Sequence, residues 1–196
     1  MFTDKPVFRL LEVSLTFVGQ NGKIKNKFRF SGGKPMKHLK KLLLVLAIVL
    51  ADQLTKYLTV LHIPLNTGHV DLWPGVVCLT HVHNYGAAFS SFQGAQWLFV
   101  IVFIILTAAI VWEFSKDRLP FTNLERWVIA AIYAGGIGNM IDRFRFGYVV
   151  DMIKTEFMVF PVFNVADCFV TCGCIFLVVH LVFFNKEFWK DEKKKK

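Results

Sequence analysis

Four long apolar runs govern what this chain can fold into. They cover residues 42–61, 97–114, 127–141 and 166–184. A hydrocarbon layer ~30 Å thick is crossed by roughly 20 helical residues, so each run reads as a membrane span. The third run is the shortest and the richest in small residues. Composition points the same way. Of the 196 residues, 55% are hydrophobic with glycine left out of the count. An average soluble domain reaches only about 45–50% with glycine included. Mean hydropathy is +0.48. Such a chain has too little polar surface to cover a water-soluble globule, and it is too apolar to be disordered over most of its length. Four cysteines are too few for a disulfide-stapled secreted domain.

The net charge of +9 would suit a nucleic-acid binder, but its distribution does not. Ten Lys/Arg fall in residues 1–41, three in 115–126 and six in 185–196. Segment 62–96 carries none, and segment 142–164 carries Arg143, Arg145 and Lys154. The positive-inside rule therefore puts both termini in the cytoplasm and turns 62–96 and 142–164 outward. The expected fold is mainly α: a polytopic membrane protein of four transmembrane helices with a small extracytoplasmic β-cradle. The strand signal for that cradle is Val76 to His83, β-prone and partly alternating, between Gly75 and Gly86.

The expected organisation has three parts. Residues 1–35 form a basic cytoplasmic extension, mobile or not translated, since Met36-Lys37-His38 reads like a natural start. Residues 36–184 form the membrane domain, and residues 185–196 a basic tail that attracts anionic headgroups. The first run is not expected to be a cleaved leader. It contains Asp52 and Lys56 and lacks a small-x-small cleavage site.

The costly residues are the informative ones, because a charge in lipid is paired, in a cavity or functional. Asp52 lies about 15 Å along the first span at 1.5 Å per residue, with Lys56 one turn on. They read either as a self-neutralising pair or as a brace beneath a site. In the third span Ala130, Ala134 and Gly138 repeat every four residues, as do Ala131, Gly135 and Asn139, a spacing that lets helix backbones touch. Asn139 and Asp142 share a face at its outer end, beside Arg143. Asp151 stands between apolar residues on both sides. Asn164 and Asp167 have the spacing of a capping box at the start of the fourth span.

Asp142, Asp151 and Asp167 all belong to the outer face. Two carboxylates brought together cannot both ionise easily, so such a pair shares a proton and can run acid–base hydrolysis. Which two meet is open at this point. Two other readings stand beside it: a proton relay through Asp52, Lys56 and Asp142, or a non-catalytic assembly partner whose polar groups only cap and pack. His81 and His83 would share one strand face. No cysteine or carboxylate ligand stands near them at metal-binding spacing. Cys168, Cys172 and Cys174 read as packing residues of the fourth span.

Five blocks, in order, carry a resemblance. They are Asp52-Gln53-Leu54-Thr55-Lys56, Asn84-Tyr85-Gly86-Ala87-Ala88-Phe89, Gly135 to Arg143, Val149-Val150-Asp151, and Phe163-Asn164-Val165-Ala166-Asp167. In these the chain resembles the lipoprotein signal peptidases (signal peptidase II), bacterial membrane aspartyl peptidases. The resemblance implies cleavage of the signal peptide from a diacylglyceryl-modified prolipoprotein, just before the lipidated cysteine. It implies Asp151 and Asp167 as the catalytic carboxylates. Asn139, Arg143 and Asn164 would position the substrate and the tetrahedral intermediate. Asp142 would orient Arg143, while Asp52, with Lys56 beside it, and Asn84, with Gly86, would buttress the site. It implies no metal or other cofactor, a place in the bacterial cytoplasmic membrane with the site at the outer face, and sensitivity to the cyclic peptide globomycin. The expected partners are prolipoprotein signal peptides and membrane lipids, not nucleic acid, and the expected state is a monomer. Two features depart from the family pattern. Residues 1–35 have no counterpart, and the stretch from Asp151 to Asp167 is shorter, which bears on the shape of a substrate lid.

Overall fold

The computed structural model describes residues 16–18, 24–27, 35–86, 96–116 and 118–190. The expectations for the rest of the first 34 residues, for Ala87-Ala88-Phe89 and for the lysine run at the end fall outside the described residues. The chain divides into two units, Met1–Lys40 and Lys41–Lys196. In the first, β1 (Thr16–Val18) pairs antiparallel with β2 (Ile24–Lys27).

Four long helices follow the four apolar runs: α1 (Pro35–His62), α2 (Gln96–Lys116), α3 (Asn123–Phe146) and α4 (Val165–Phe183). A short α5 (Lys186–Lys190) ends the described chain. Three stretches are long and apolar enough to cross a membrane: Leu39–His62, Trp97–Lys116 and Val165–Phe183. Helix α3, at 24 residues, is longer than the expected 127–141. Thr122 and Glu125 form a capping box at its start, and Gly147 closes its end in the left-handed conformation. It outruns its apolar stretch because those caps satisfy the terminal backbone groups. It also carries Glu125, Arg126, Asp142, Arg143 and Arg145, which lower its hydropathy.

The inside and outside of this bundle are reversed relative to a soluble protein. Leu43, Leu50, Ile104, Ile105, Ile175 and Val178 are exposed, whereas Asp52, Lys56, Glu125, Asp142, Asp151 and Asn164 are buried. An exposed apolar belt around buried charges suits a lipid surrounding, where the chain must satisfy its own polar groups. Helices α3 and α4 make the closest contact. At Gly135 a methyl group would come within 2.5 Å of the Ala166 carbonyl oxygen, so only glycine lets the two backbones approach this far.

The remaining elements form one antiparallel sheet, order β3-β4-β5: β3 (Val70–Trp73), β4 (Val77–Asn84) and β5 (Val149–Thr155). Strand β4 lies one residue from the expected position. Strand β5, by contrast, was not expected as a strand. Its Val-Val-Asp-Met-Ile run does not alternate, because its first four residues are all buried. The register sets Val82 opposite Asp151 and Asn84 opposite Val149. Asn84 and Asp151 thereby become diagonal neighbours on one face.

Candidate active site

Helix α1 contributes a buried cation. Lys56 Nζ lies 2.9 Å from Asp52 Oδ2, 3.0 Å from Asp142 Oδ2 and 3.0 Å from Asn139 Oδ1. Its three donors are thus all engaged, which is what a buried ammonium requires. Asp52 pairs with Lys56 within its own helix, and its Oδ1 accepts the Ala166 backbone N–H at 2.9 Å. That N–H belongs to the first turn of α4, where no intrahelical acceptor exists.

Among the described residues, the hydrogen bonds and ion pair of Asp142 go to groups other than Arg143. Asp142 Oδ1 accepts from Gln53 Nε2 at 2.9 Å, and its Oδ2 accepts the Val150 N–H at 3.1 Å in addition to pairing with Lys56. It fastens α3 to α1 and to β5. Adjacent residues on a helix point about 100° apart, so Arg143 faces elsewhere. One of its terminal nitrogens donates to the Gly86 carbonyl at 3.0 Å, and its guanidinium stacks 4.4 Å from the Phe99 ring centre. Its buried Nε–H has no partner among the described residues.

Three asparagines then join the other two acids. Asn139 Nδ2 donates to Asp167 Oδ1 at 2.7 Å, while its Oδ1 accepts from Lys56 and from Asn164 Nδ2. Asn164 caps α4: its Oδ1 accepts the Asp167 N–H at 2.9 Å, and its own N–H donates to Asp167 Oδ2 at 3.2 Å. The same side chain donates from Nδ2 to Asp151 Oδ1 at 2.7 Å. Asn84 Nδ2 donates to Asp151 Oδ2 at 2.8 Å, and its Oδ1 accepts the Gly86 N–H. The capping box read from the sequence is therefore present, and it is also the link between the two acids.

Asp151 and Asp167 open into one cavity of about 430 Å³, with Asn84, Gly86, Asn139 and Arg143 on its polar side and Phe160 to Phe163 among its apolar residues. Burial, reinforced by the Asp167 carboxylate, pushes Asp151 up to about 7 against the pull of its two asparagine donors. The cavity thus holds two buried acids, an arrangement able to activate water and polarise a carbonyl together. A second cavity, lined by Val128, Ala131, Phe169, Gly173 and Phe176, runs along the α3–α4 face and shares Cys168 and Cys172 with the first.

Sequence reasoning gave no role to Gln53 or Phe99. An amide inside an apolar helix was the available signal for Gln53; nothing marked Phe99. It also passed over a polar cluster at the opposite end of the bundle. There Glu125 accepts from Asn185 and from the Thr122 N–H, and lies 2.8 Å from His180 Nδ1. His81 donates from Nδ1 to the Ile63 carbonyl, and His83 stacks on Tyr148 at 3.8 Å. All four cysteines are free thiols.

A family profile described as Signal peptidase (SPase) II matches residues 44–183. The lipoprotein signal peptidase of Streptococcus pyogenes serotype M2 (strain MGAS10270) is 42% identical over 159 residues, 79% of this chain and 97% of that protein. That of serotype M5 (strain Manfredo) is 41% identical over the same shares. A bacterial membrane enzyme solved by the in meso method at 2.3 Å is similar in structure, with a TM-score of 0.66 and 32% identity, covering 80% of this chain and 92% of that one. The profile spans α1 to α4 and takes in both acids of the cavity, and the identity runs through nearly the whole of the streptococcal proteins: this chain belongs to the signal peptidase II family.

Proposed function

We propose that the chain removes signal peptides from prolipoproteins whose lipobox cysteine already carries diacylglycerol, cutting just before that cysteine, with Asp151 and Asp167 as the catalytic pair. One observation carries this reading: two carboxylates from different elements, tied through Asn164, open into the same cavity. In this reading Asp167 is the member that takes the proton from water. It accepts from Asn139 and from the Asn164 N–H, and it sits in the first turn of α4, where the helix dipole favours negative charge. Asp151, pushed up to about 7, holds its proton below neutral pH and retains part of it at pH 7.

A water between them gives a proton to Asp167 as its oxygen attacks the scissile carbonyl. Asp151 donates its proton toward the carbonyl oxygen. Arg143, with its unspent Nε–H, and the two asparagines Asn139 and Asn164 hold the tetrahedral intermediate. Collapse returns a proton from Asp167 to the leaving amine, the new N-terminus of the lipidated cysteine, and one to Asp151 from the intermediate's hydroxyl. The steps need no metal. Asp52, Lys56 and Asp142 hold Asn139 and the start of α4, while Asn84 and Gly86 hold Asp151 and Arg143.

In this reading α3 is the fourth span, both termini are cytoplasmic and the site faces outward from the bacterial cytoplasmic membrane. The excess of Lys/Arg in residues 1–41, 115–126 and 185–196 supports that orientation. Residues 1–35 are a basic extension, 36–184 the peptidase domain and 185–196 a basic tail, and the chain works as a monomer. The apolar cavity between α3 and α4 suits the signal helix or an acyl chain. The test is purified full-length protein with one prolipoprotein, diacylated or unmodified. Cleavage before the cysteine of the diacylated form is expected. Its absence, with an established family member active in the same assay, would overturn the reading.

A further inference from the structure

The cluster at the far end of the sheet from Asn84 belongs to none of this chemistry. His69 precedes β3, Asp71 lies in β3, Cys78 in β4, and Glu156 follows β5. The register pairs Asp71 with Cys78 and Cys78 with Lys154, so these three side chains stand in a row across the sheet. One ligand atom each from His69, Cys78 and Glu156 lies within 4.8 Å of the other two. His69 Nε2 is also 2.6 Å from Asp71 Oδ1 and 3.6 Å from Glu156 Oε1. The second Glu156 oxygen accepts the Gly75 N–H at 3.0 Å, where the Pro74-Gly75 turn, with Gly75 at φ 73°, brings that donor down onto it. The carboxylate is thereby held with one oxygen toward the imidazole.

We propose that His69, Cys78, Glu156 and Asp71 form a zinc site that clips the β3–β4 hairpin to the end of β5. The donor set selects the ion. A thiolate with an imidazole and carboxylates is a zinc combination, whereas magnesium and calcium take oxygen only. The spacing of the His69, Cys78 and Glu156 atoms needs a contraction of about 1 Å to reach tetrahedral zinc contacts of ~2.0–2.3 Å, and the exposed His69 and Glu156 can make it, with Asp71 swinging in from His69 as the fourth ligand. Cys78 is fully buried beneath them. Burial and the Glu156 carboxylate hold its thiol above its usual range, with Lys154 pulling the other way. Zinc binds the sulfur as thiolate, and the thiol proton leaves to solvent. The role is structural. Glu156 is five residues beyond Asp151, about 16 Å along an extended chain, and so beyond contact with the dyad.

The experiment uses untagged full-length protein in detergent, stripped with a chelator. Zinc is titrated against a competing chromophoric chelator. Cobalt(II) is titrated separately, because a thiolate ligand gives it an intense near-ultraviolet charge-transfer band. One zinc per chain and a cobalt–thiolate band are expected. Cys78→Ser removes the band, and His69→Ala weakens zinc binding at least about tenfold. His69 is exposed, so its variant stays folded and decides the matter even if Cys78→Ser does not fold. The proposal is overturned by three results: no stoichiometric zinc on the wild type, a band that survives Cys78→Ser but is lost in Cys172→Ser or Cys174→Ser, or zinc affinity unchanged in His69→Ala.

Discussion

Asp52 Oδ1 and the Ala166 backbone N–H meet at 2.9 Å although 114 positions separate them in sequence. The bond joins the middle of α1 to the first turn of α4, one residue before Asp167. A helix start has N–H groups with no partner of their own, and lipid offers none. A carboxylate from another helix fills that need and so fixes where Asp167 stands.

Asp52→Asn keeps an oxygen for Ala166 but removes one of the two carboxylates that face Lys56. A buried cation stripped of a partner costs about 3 kcal/mol or more. We expect a clearly lowered thermal midpoint in detergent and a partial loss of cleavage. An unchanged midpoint would show that Asp142 and Asn139 alone hold Lys56.

Asp151→Asn and Asp167→Asn each remove one member of the proposed proton-sharing pair. Losses of about 10²–10⁴-fold are expected in the rate of signal-peptide removal, the usual scale of acid–base catalysis. The folded fraction by size-exclusion chromatography should stay that of the wild type. Normal turnover in either variant removes that residue from the pair.

The raised Asp151 gives stability a sign that can be measured. Its ordinary value is 3.8 and its value in the fold is about 7. Between these the folded chain holds a proton that the unfolded chain has lost, so stability falls as pH rises through that window and levels off above it. The thermal midpoint of the wild type should decline from pH 4 to 7 more steeply than that of Asp151→Asn. Equal slopes would contradict the raised value. Cleavage that depends on protonated Asp151 should also decline above about pH 7.

Gly135→Ala and Gly136→Ala differ by one position and should differ in outcome. At Gly135 the new methyl meets the Ala166 carbonyl at 2.5 Å, a backbone atom that cannot turn aside. At Gly136 it meets only the edge of the Phe103 ring, with Cε2 at 3.1 Å and Cδ2 at 3.5 Å. Overpacking of the first kind costs about 1–3 kcal/mol and shifts the start of α4. Melting and cleavage measured on both variants check this; equal destabilisation would sink it.

Chelation separates the two chemistries. EDTA should leave cleavage intact, since no proposed step uses a metal, while lowering the thermal midpoint through loss of zinc from the sheet. Cleavage abolished by EDTA and restored by zinc would place a metal in the reaction.

The helices were legible because apolar runs of span length have few other fates, and the chain's exposed apolar belt is the same information seen from outside. The capping box of Asn164 and Asp167 was legible because it is local, three residues long; that of Thr122 and Glu125 is just as local but went unread. Strand β5 was not, since a strand buried on both faces loses its alternation. The roles within the acid cluster were only partly readable. Asp142 and Arg143 are neighbours in sequence, yet the bonds of Asp142 go to Gln53, Lys56 and Val150 while Arg143 donates to Gly86.

By itself the sequence determined the long apolar runs, their separation from the basic segments and the presence of three acids between or at the ends of those runs. These depend on transfer of residues into lipid and on contacts a few positions long. Tertiary structure alone decided which acids face one cavity. Asp142 is drawn onto Lys56, Gln53 and the Val150 N–H, while Asp151 and Asp167 are joined through Asn164. That choice rests on the glycine-lined approach of α3 to α4 and on the β4–β5 register. Both are distances between segments far apart in the chain, which no local pattern of residues encodes.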